Sequence, residues 1–123
     1  MTNLEPLRKA LGRNSPANAE KRSHTRYAAS ALAQIMELES QVILRARITD
    51  LGLRGCYVDT VNPFLMNTEL HFLIRYGCST CQLQGKVIYT HSGFGMGVLF
   101  GEIEPIHRAT LNNWLEELAR KSA

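Results

Sequence analysis

No stretch of this 123-residue chain is apolar for more than a few residues, whereas a membrane span requires ~20. Cysteine is scarce and odd in number, three in all, which argues against a paired disulfide framework and fits a reducing compartment. The opening Met1-Thr2-Asn3-Leu4-Glu5-Pro6 lacks a basic-then-apolar leader. These absences predict a cytoplasmic protein with no membrane insertion. There is no glycine-rich phosphate loop ending in Lys-Ser/Thr and no strand–GxGxxG–helix unit. Gly93-Phe94-Gly95-Met96-Gly97 is glycine-rich but leads into a strand, so no helix N-terminus stands behind it to hold an anion. The four histidines (His24, His71, His91, His107) are scattered with no nucleophile beside them, and catalysis is not expected. Only nine aromatics occur, most in apolar strand or helix contexts, which disfavours a barrel that stacks single-stranded nucleic acid on exposed rings.

What remains is the composition of one soluble globular domain: 45% apolar and 20% charged residues, with enough length to bury a core unaided by disulfide or metal. The charge is unevenly placed. Residues 1–26 hold six Lys/Arg (Arg8, Lys9, Arg13, Lys21, Arg22, Arg26) against two acids, while the rest holds eight against nine. A basic arm on a near-neutral body favours an anionic partner. The plainer reading is a solvated tail that aids solubility.

Leu4, Leu7 and Leu11 at i, i+3, i+7 predict a short amphipathic helix capped by Asn3 and ended by Gly12. A polar, basic linker follows. From Tyr27 to about Phe100 the pattern is β. Val42, Leu44, Ala46 and Ile48 alternate with Ile43, Arg45, Arg47 and Thr49 after a turn at Glu39-Ser40. Cys56–Val58, Leu70–Arg75, Gln82–Thr90 and Val98–Phe100 supply further strands. Asn62-Pro63 breaks the run, Gly77 makes a turn, and residues 93–97 form a flexible approach to the last strand. Short strands at regular spacing indicate a small antiparallel barrel. Pro105 then opens a C-terminal helix of about four turns, with Leu111, Trp114, Leu115 and Leu118 on one stripe and Arg120 and Lys121 near its end. Trp114 is expected to anchor the core. The division is therefore residues 1–20, helix and basic linker, and residues 21–123, barrel with C-terminal helix.

Cys78-Ser79-Thr80-Cys81 is a lone CxxC. Cys56, His71 or His91 would have to complete a zinc site. Gly77 before it favours a hairpin turn with incidental cysteines, so no metal is expected.

One pair of motifs is different in kind. Arg22-Ser23-His24-Thr25-Arg26 sets two guanidinium groups four residues apart where the linker meets the first strand. Asp50-Leu51-Gly52-Leu53-Arg54-Gly55 sets an acid and two glycines at a strand end. Arginine binds the O6 and N7 acceptors of guanine bidentately, and an ionised Asp accepts from guanine's N–H edge. A second Arg, or Lys21, holds a phosphate. Gly52 and Gly55 let backbone approach the ligand. The alternative is that Arg22 and Arg26 are surface charges and Asp50-Leu51-Gly52 is a turn.

With these residues the sequence resembles the PilZ domain family, the bacterial receptor module for cyclic di-GMP. That family carries RxxxR before the first strand and D/NxSxxG at the end of the second. Arg22 and Arg26 match the first, with Lys21 where many members have another arginine; Asp50 and Gly55 match the second. Gly55-Cys56-Tyr57-Val58, Asn62-Pro63-Phe64, Gly95–Phe100 and the C-terminal helix continue the likeness from about Lys21 to Ala119. The resemblance implies a six-stranded barrel, mostly β, that binds cyclic di-GMP through Lys21, Arg22, Arg26, Asp50, Gly52 and Gly55. The ligand would be clamped by an arm that is mobile when free, and ordering of that arm would pass the signal to a protein partner. The family's serine is Gly52 here. Loss of that hydroxyl weakens binding by ~0.5–1.5 kcal/mol if nothing replaces it. The competing implication is a degenerate member that serves as a protein-interaction adaptor and no longer binds nucleotide.

Overall fold

The structure is a computed structural model and describes residues 25–122. The expected N-terminal helix and linker, together with Lys21 and Arg22, lie outside these residues. Six strands form a closed antiparallel barrel in the order β1-β2-β3-β6-β5-β4. They are β1 (Arg26–Glu37), β2 (Ile43–Gly52), β3 (Gly55–Asp59), β4 (Glu69–Tyr76), β5 (Ser79–His91) and β6 (Gly95–Phe100), followed by helix α1 (Pro105–Lys121). This is the barrel-plus-helix architecture that the sequence pattern predicts.

Alternation sets the wall. Ala31, Ala33 and Ile35 of β1 point inward, as do Leu70, Phe72 and Ile74 of β4, and all six are buried. Their odd or even neighbours face solvent, the period-2 pattern of a half-buried strand. Phe72 and Phe100 meet edge-to-face at 6.3 Å near the centre of the core. Each such side chain contributes about 1.5–3 kcal/mol by leaving water. The Glu39-Ser40 turn is present, closed by Gln41 N–H donating to the Glu37 carbonyl at 2.7 Å. Gly77 turns β4 into β5 with φ +63°. Tyr76 and Ser79 pair across that turn, so Cys78 lies in it and Cys81 belongs to β5.

One expectation is corrected. Residues 93–97 are not a flexible approach: Gly95, Met96 and Gly97 are buried and paired on both sides within β6. The turn is confined to residues 92–94, with Gly93 at φ +81° and Phe94 N–H donating to the His91 carbonyl at 2.9 Å.

Helix α1 buries Leu111, Trp114 and Leu118. Trp114 is a core anchor, as expected, packed edge-to-face on Tyr76 at 5.6 Å. Its indole Nε1 donates to Ser79 Oγ at 2.8 Å, so its polar end is satisfied. Arg120 and Lys121 occupy the last turn, where cations suit the helix dipole. Among the described residues no helix is long and apolar enough to cross a membrane.

Candidate functional site

The site begins with two irregularities around β2. β1 carries an extra residue between Ala28 and Ala31 where it pairs with β2, and β2 carries one between Ile48 and Asp50 where it pairs with β3. Ile48 and Leu51 both point inward although they are three residues apart. Bulges of this kind re-aim side chains. Here the result is that Asp50 faces outward beside Arg26, whose backbone partner is Gly52.

Arg26 Nη1 donates to Asp50 Oδ1 at 2.9 Å. The two side chains are 28% and 38% exposed. The pair joins the RxxxR and D/NxSxxG stretches, which are far apart in the chain. A half-exposed ion pair is worth only about 0–1 kcal/mol, so a ligand can compete for either partner at small cost. One of the five guanidinium N–H donors is committed to Asp50, and a fork remains for an acceptor pair.

The glycines have a packing task of their own. A Cβ at Gly52 would sit 2.7 Å from the Thr25 carbonyl oxygen and 3.0 Å from Arg26 Cγ. A Cβ at Gly55 would collide with the Val98 carbonyl of β6 and lie 3.5 Å from Arg26 Nη2. Gly52 thus makes room for the incoming chain and Arg26, while Gly55 lets β3 close on β6. Cys56 lies just beneath, fully buried. Burial pushes its thiol well up, against a smaller opposing pull from the Arg26 cation, so it is a neutral packing residue.

Sequence reasoning missed a second group. Along one level of the outer wall, Asp50 pairs with Tyr57 on β3, Tyr57 with Gly97 on β6, and Gly97 with Tyr89 on β5. The Tyr57 and Tyr89 ring centroids are 6.3 Å apart, and His91 lies 5.8 Å and 5.2 Å from them. Tyr57 Oη and His91 Nδ1 are hydrogen-bonded at 3.0 Å. The rings lie over bare backbone: a Cβ at Gly95 would meet Tyr57, and one at Gly97 would meet the Tyr89 ring. Partial burial, then Tyr89 and the charges of Asp59 and Asp50, raise the Tyr57 hydroxyl above the ordinary phenol value, so it remains a neutral donor. The available signal was the Gly-Met-Gly of β6. Paired strands place its two bare positions beneath the aromatic residues of β3 and β5.

The residues weighed for zinc are dispersed. Cys78 is exposed in a turn and Cys81 is buried, its thiol donating to the His107 carbonyl at 3.5 Å. His71 bonds Gln82. Among the described residues no cluster of three or more His, Cys, Asp or Glu could hold a metal.

The PilZ domain family description matches residues 20–117. Among solved structures, the PilZ domain of YcgR from Escherichia coli, determined with c-di-GMP, superposes with a TM-score of 0.69 at 17% identity, covering 83% of this chain and 94% of that one. The Bacillus subtilis inhibitor of motility MotI/DgrA gives 0.66 at 18% identity, covering 83% of this chain and 51% of that one. The PilZ domain of CeSA from a cellulose-synthesizing bacterium gives 0.63 at 14% identity, with coverages of 76% and 97%. No curated protein matches. Family match, barrel topology and the meeting of the two motifs agree: this chain belongs to the PilZ domain family.

Proposed function

We propose that this PilZ domain is a cyclic di-GMP receptor that binds the dinucleotide on the outer wall of the barrel at Arg26 and Asp50. The observation that carries this reading is the 2.9 Å contact between those side chains, which unites both motifs while leaving each partner half open to solvent. In the complex Arg26 turns its free N–H fork to guanine O6 and N7 or to a phosphate. Asp50 accepts from the guanine N–H edge. Tyr57, next to Asp50, offers a ring face on which a base can stack. Lys21 and Arg22 close over the phosphates, and the arm that bears them passes the ligand state to a protein partner in the cytoplasm. The protein acts as a receptor and not as a catalyst.

A second reading has its own support. The Thr25 carbonyl oxygen lies 2.7 Å from where a Cβ at Gly52 would stand, so the motif serine would require the entering chain to shift. That favours a remodelled member acting as an adaptor without nucleotide.

Calorimetric titration with cyclic di-GMP, with GTP and cyclic di-AMP as controls, separates the two. Saturable heat with cyclic di-GMP alone supports the receptor, accompanied by movement of amide signals in residues 1–26. An absence of heat leaves the adaptor.

A further inference from the structure

The outer face shared by β2, β1 and β4 carries a set of cations that nothing in the nucleotide reading uses. Register places them in rows. Leu32 of β1 stands opposite Arg47 of β2 on one side and Arg75 of β4 on the other. Gln34 stands between Arg45 and Leu73, and Met36 between Ile43 and His71. Leu32 and Ile43 are 55% and 48% exposed. The side chains of the first two rows enclose a surface groove of about 500 Å³. Arg47 Nη1 donates to Ser30 Oγ at 2.8 Å. Among the described residues none of Arg45, Arg47 and Arg75 takes part in an ion pair within 4.0 Å.

The spacing selects the shape of an occupant. Neighbouring strands lie ~4.8 Å apart, so the backbones of Arg47 and Arg75 stand ~10 Å apart across Leu32, about the width of an α-helix. Along β2, Arg45 and Arg47 are ~6.7 Å apart, close to the ~6 Å between helix positions i and i+4. Because the barrel is closed, and β1 is paired with β2 and β4 along this face, docking over Leu32 proceeds through side chains. The sign of charge selects the chemistry. The chain's own amphipathic pattern at Leu4, Leu7 and Leu11 carries Arg8 and Lys9 against Glu5 alone, and helix α1, with Arg108, Arg120 and Lys121 against Glu116 and Glu117, is also net basic and already buries its apolar stripe. Neither complements three guanidinium groups.

We propose that this face docks an amphipathic helix of a protein partner. Its apolar stripe would lie on Leu32 and Leu73, and carboxylates on its two flanks would pair with Arg45 and Arg47 on one side and Arg75 on the other. The proposal stands independently of nucleotide binding.

The test uses the full chain and a synthetic helical peptide of about five turns with a leucine stripe flanked by glutamates. The same peptide with lysines in place of glutamates serves as control, and binding is followed by amide NMR shifts. The expected result is saturable shifts confined to residues 32–36, 43–47 and 73–75, weakened by salt and absent with the lysine peptide. Leu32→Glu and the Arg47→Glu/Arg75→Glu pair should each lower affinity at least tenfold with a dispersed native spectrum. If Leu32→Glu unfolds the chain, Leu32→Gln replaces it with the same expectation. Failure of the acidic peptide to shift this face at millimolar concentration overturns the proposal, as does equal binding of the lysine peptide. Tighter binding of anionic vesicles or polyuridine RNA to the same amides also overturns it and assigns the face to that other partner class.

Discussion

Arg26 of the first strand and Asp50 of the second touch through Nη1 and Oδ1 on the outer wall of the barrel, over a floor made by Gly52 and Gly55. The contact couples guanidinium and carboxylate to two backbone positions where a side chain would force its neighbours to shift. Changing either kind of residue has separable effects.

Arg26→Ala removes the cation and leaves the barrel intact, because the ion pair is half exposed and contributes at most about 1 kcal/mol. Affinity for cyclic di-GMP should fall roughly ten- to a hundredfold, the equivalent of one charge-assisted bond of ~1.5–3 kcal/mol. Arg26→Lys should recover only part of this, since an ammonium lacks the fork. Calorimetry beside a thermal melt reads both quantities.

Gly52→Ser restores the family's residue but should not tighten binding. Its Cβ would come within 2.7 Å of the Thr25 carbonyl oxygen. Relieving that contact pushes the entering chain, and Arg26 with it, off Asp50. Overpacking of this kind costs ~1–3 kcal/mol, so the variant should melt lower and bind more weakly than the parent. Tighter binding at an unchanged melting temperature would show that the hydroxyl was simply lost.

Gly97→Ala should dislodge Tyr89, whose ring fills the space a Cβ would need. The expected signs are a changed near-UV tyrosine signal, loss of ring-current shifts at Tyr57 and His91, and weaker cyclic di-GMP binding. Unchanged aromatic spectra would mean that β6 moves and the rings do not.

Trp114→Phe keeps most of the buried area and deletes the bond to Ser79 Oγ. A loss of about 1–2 kcal/mol is expected from the hydrogen bond and the smaller ring. Trp114→Ala should cost about 3–5 kcal/mol. Denaturant unfolding measures each.

The thiols predict both reactivity and an alkaline limit. Native protein should titrate one accessible cysteine, Cys78, and unfolded protein three. Burial raises the Cys81 thiol from 9.0 to about 11 and raises Cys56 further. Between pH 9 and about 11 the unfolded chain therefore loses protons that the folded chain keeps. Stability is intact below pH 9 and falls as pH climbs through that window. Denaturant melts across it should show the decline, and a Cys81→Ala variant should show less of it.

Much of this was legible because it obeys a period. Alternation in Leu44, Ala46 and Ile48 identified β2, and the stripe through Leu111, Trp114 and Leu118 identified the helix. The pattern failed at Leu51, where bulges advance the inward face by an extra residue, and it is there that Asp50 is aimed. Arg26 and Asp50 were legible as motifs, whereas their contact depends on that bulge. Tyr57 and Tyr89 sit on strands far apart in the chain, so only the sheet order reveals them as neighbours. The packing role of the glycines was illegible for the same reason: what crowds Gly52 and Gly55 is the backbone of Thr25 and Val98, invisible to any local window. Leu32, isolated between helix-favouring alanines, gives no sign that arginines of two other strands flank it.

A closed ring of six strands has further reach than shape. Each strand has a neighbour on either side, so a visitor finds little backbone left to pair with. Ligands and neighbours are confined to reading side chains on a fixed cylinder, and the exterior can be rewritten residue by residue, for a new messenger or a new ally, without disturbing the scaffold beneath.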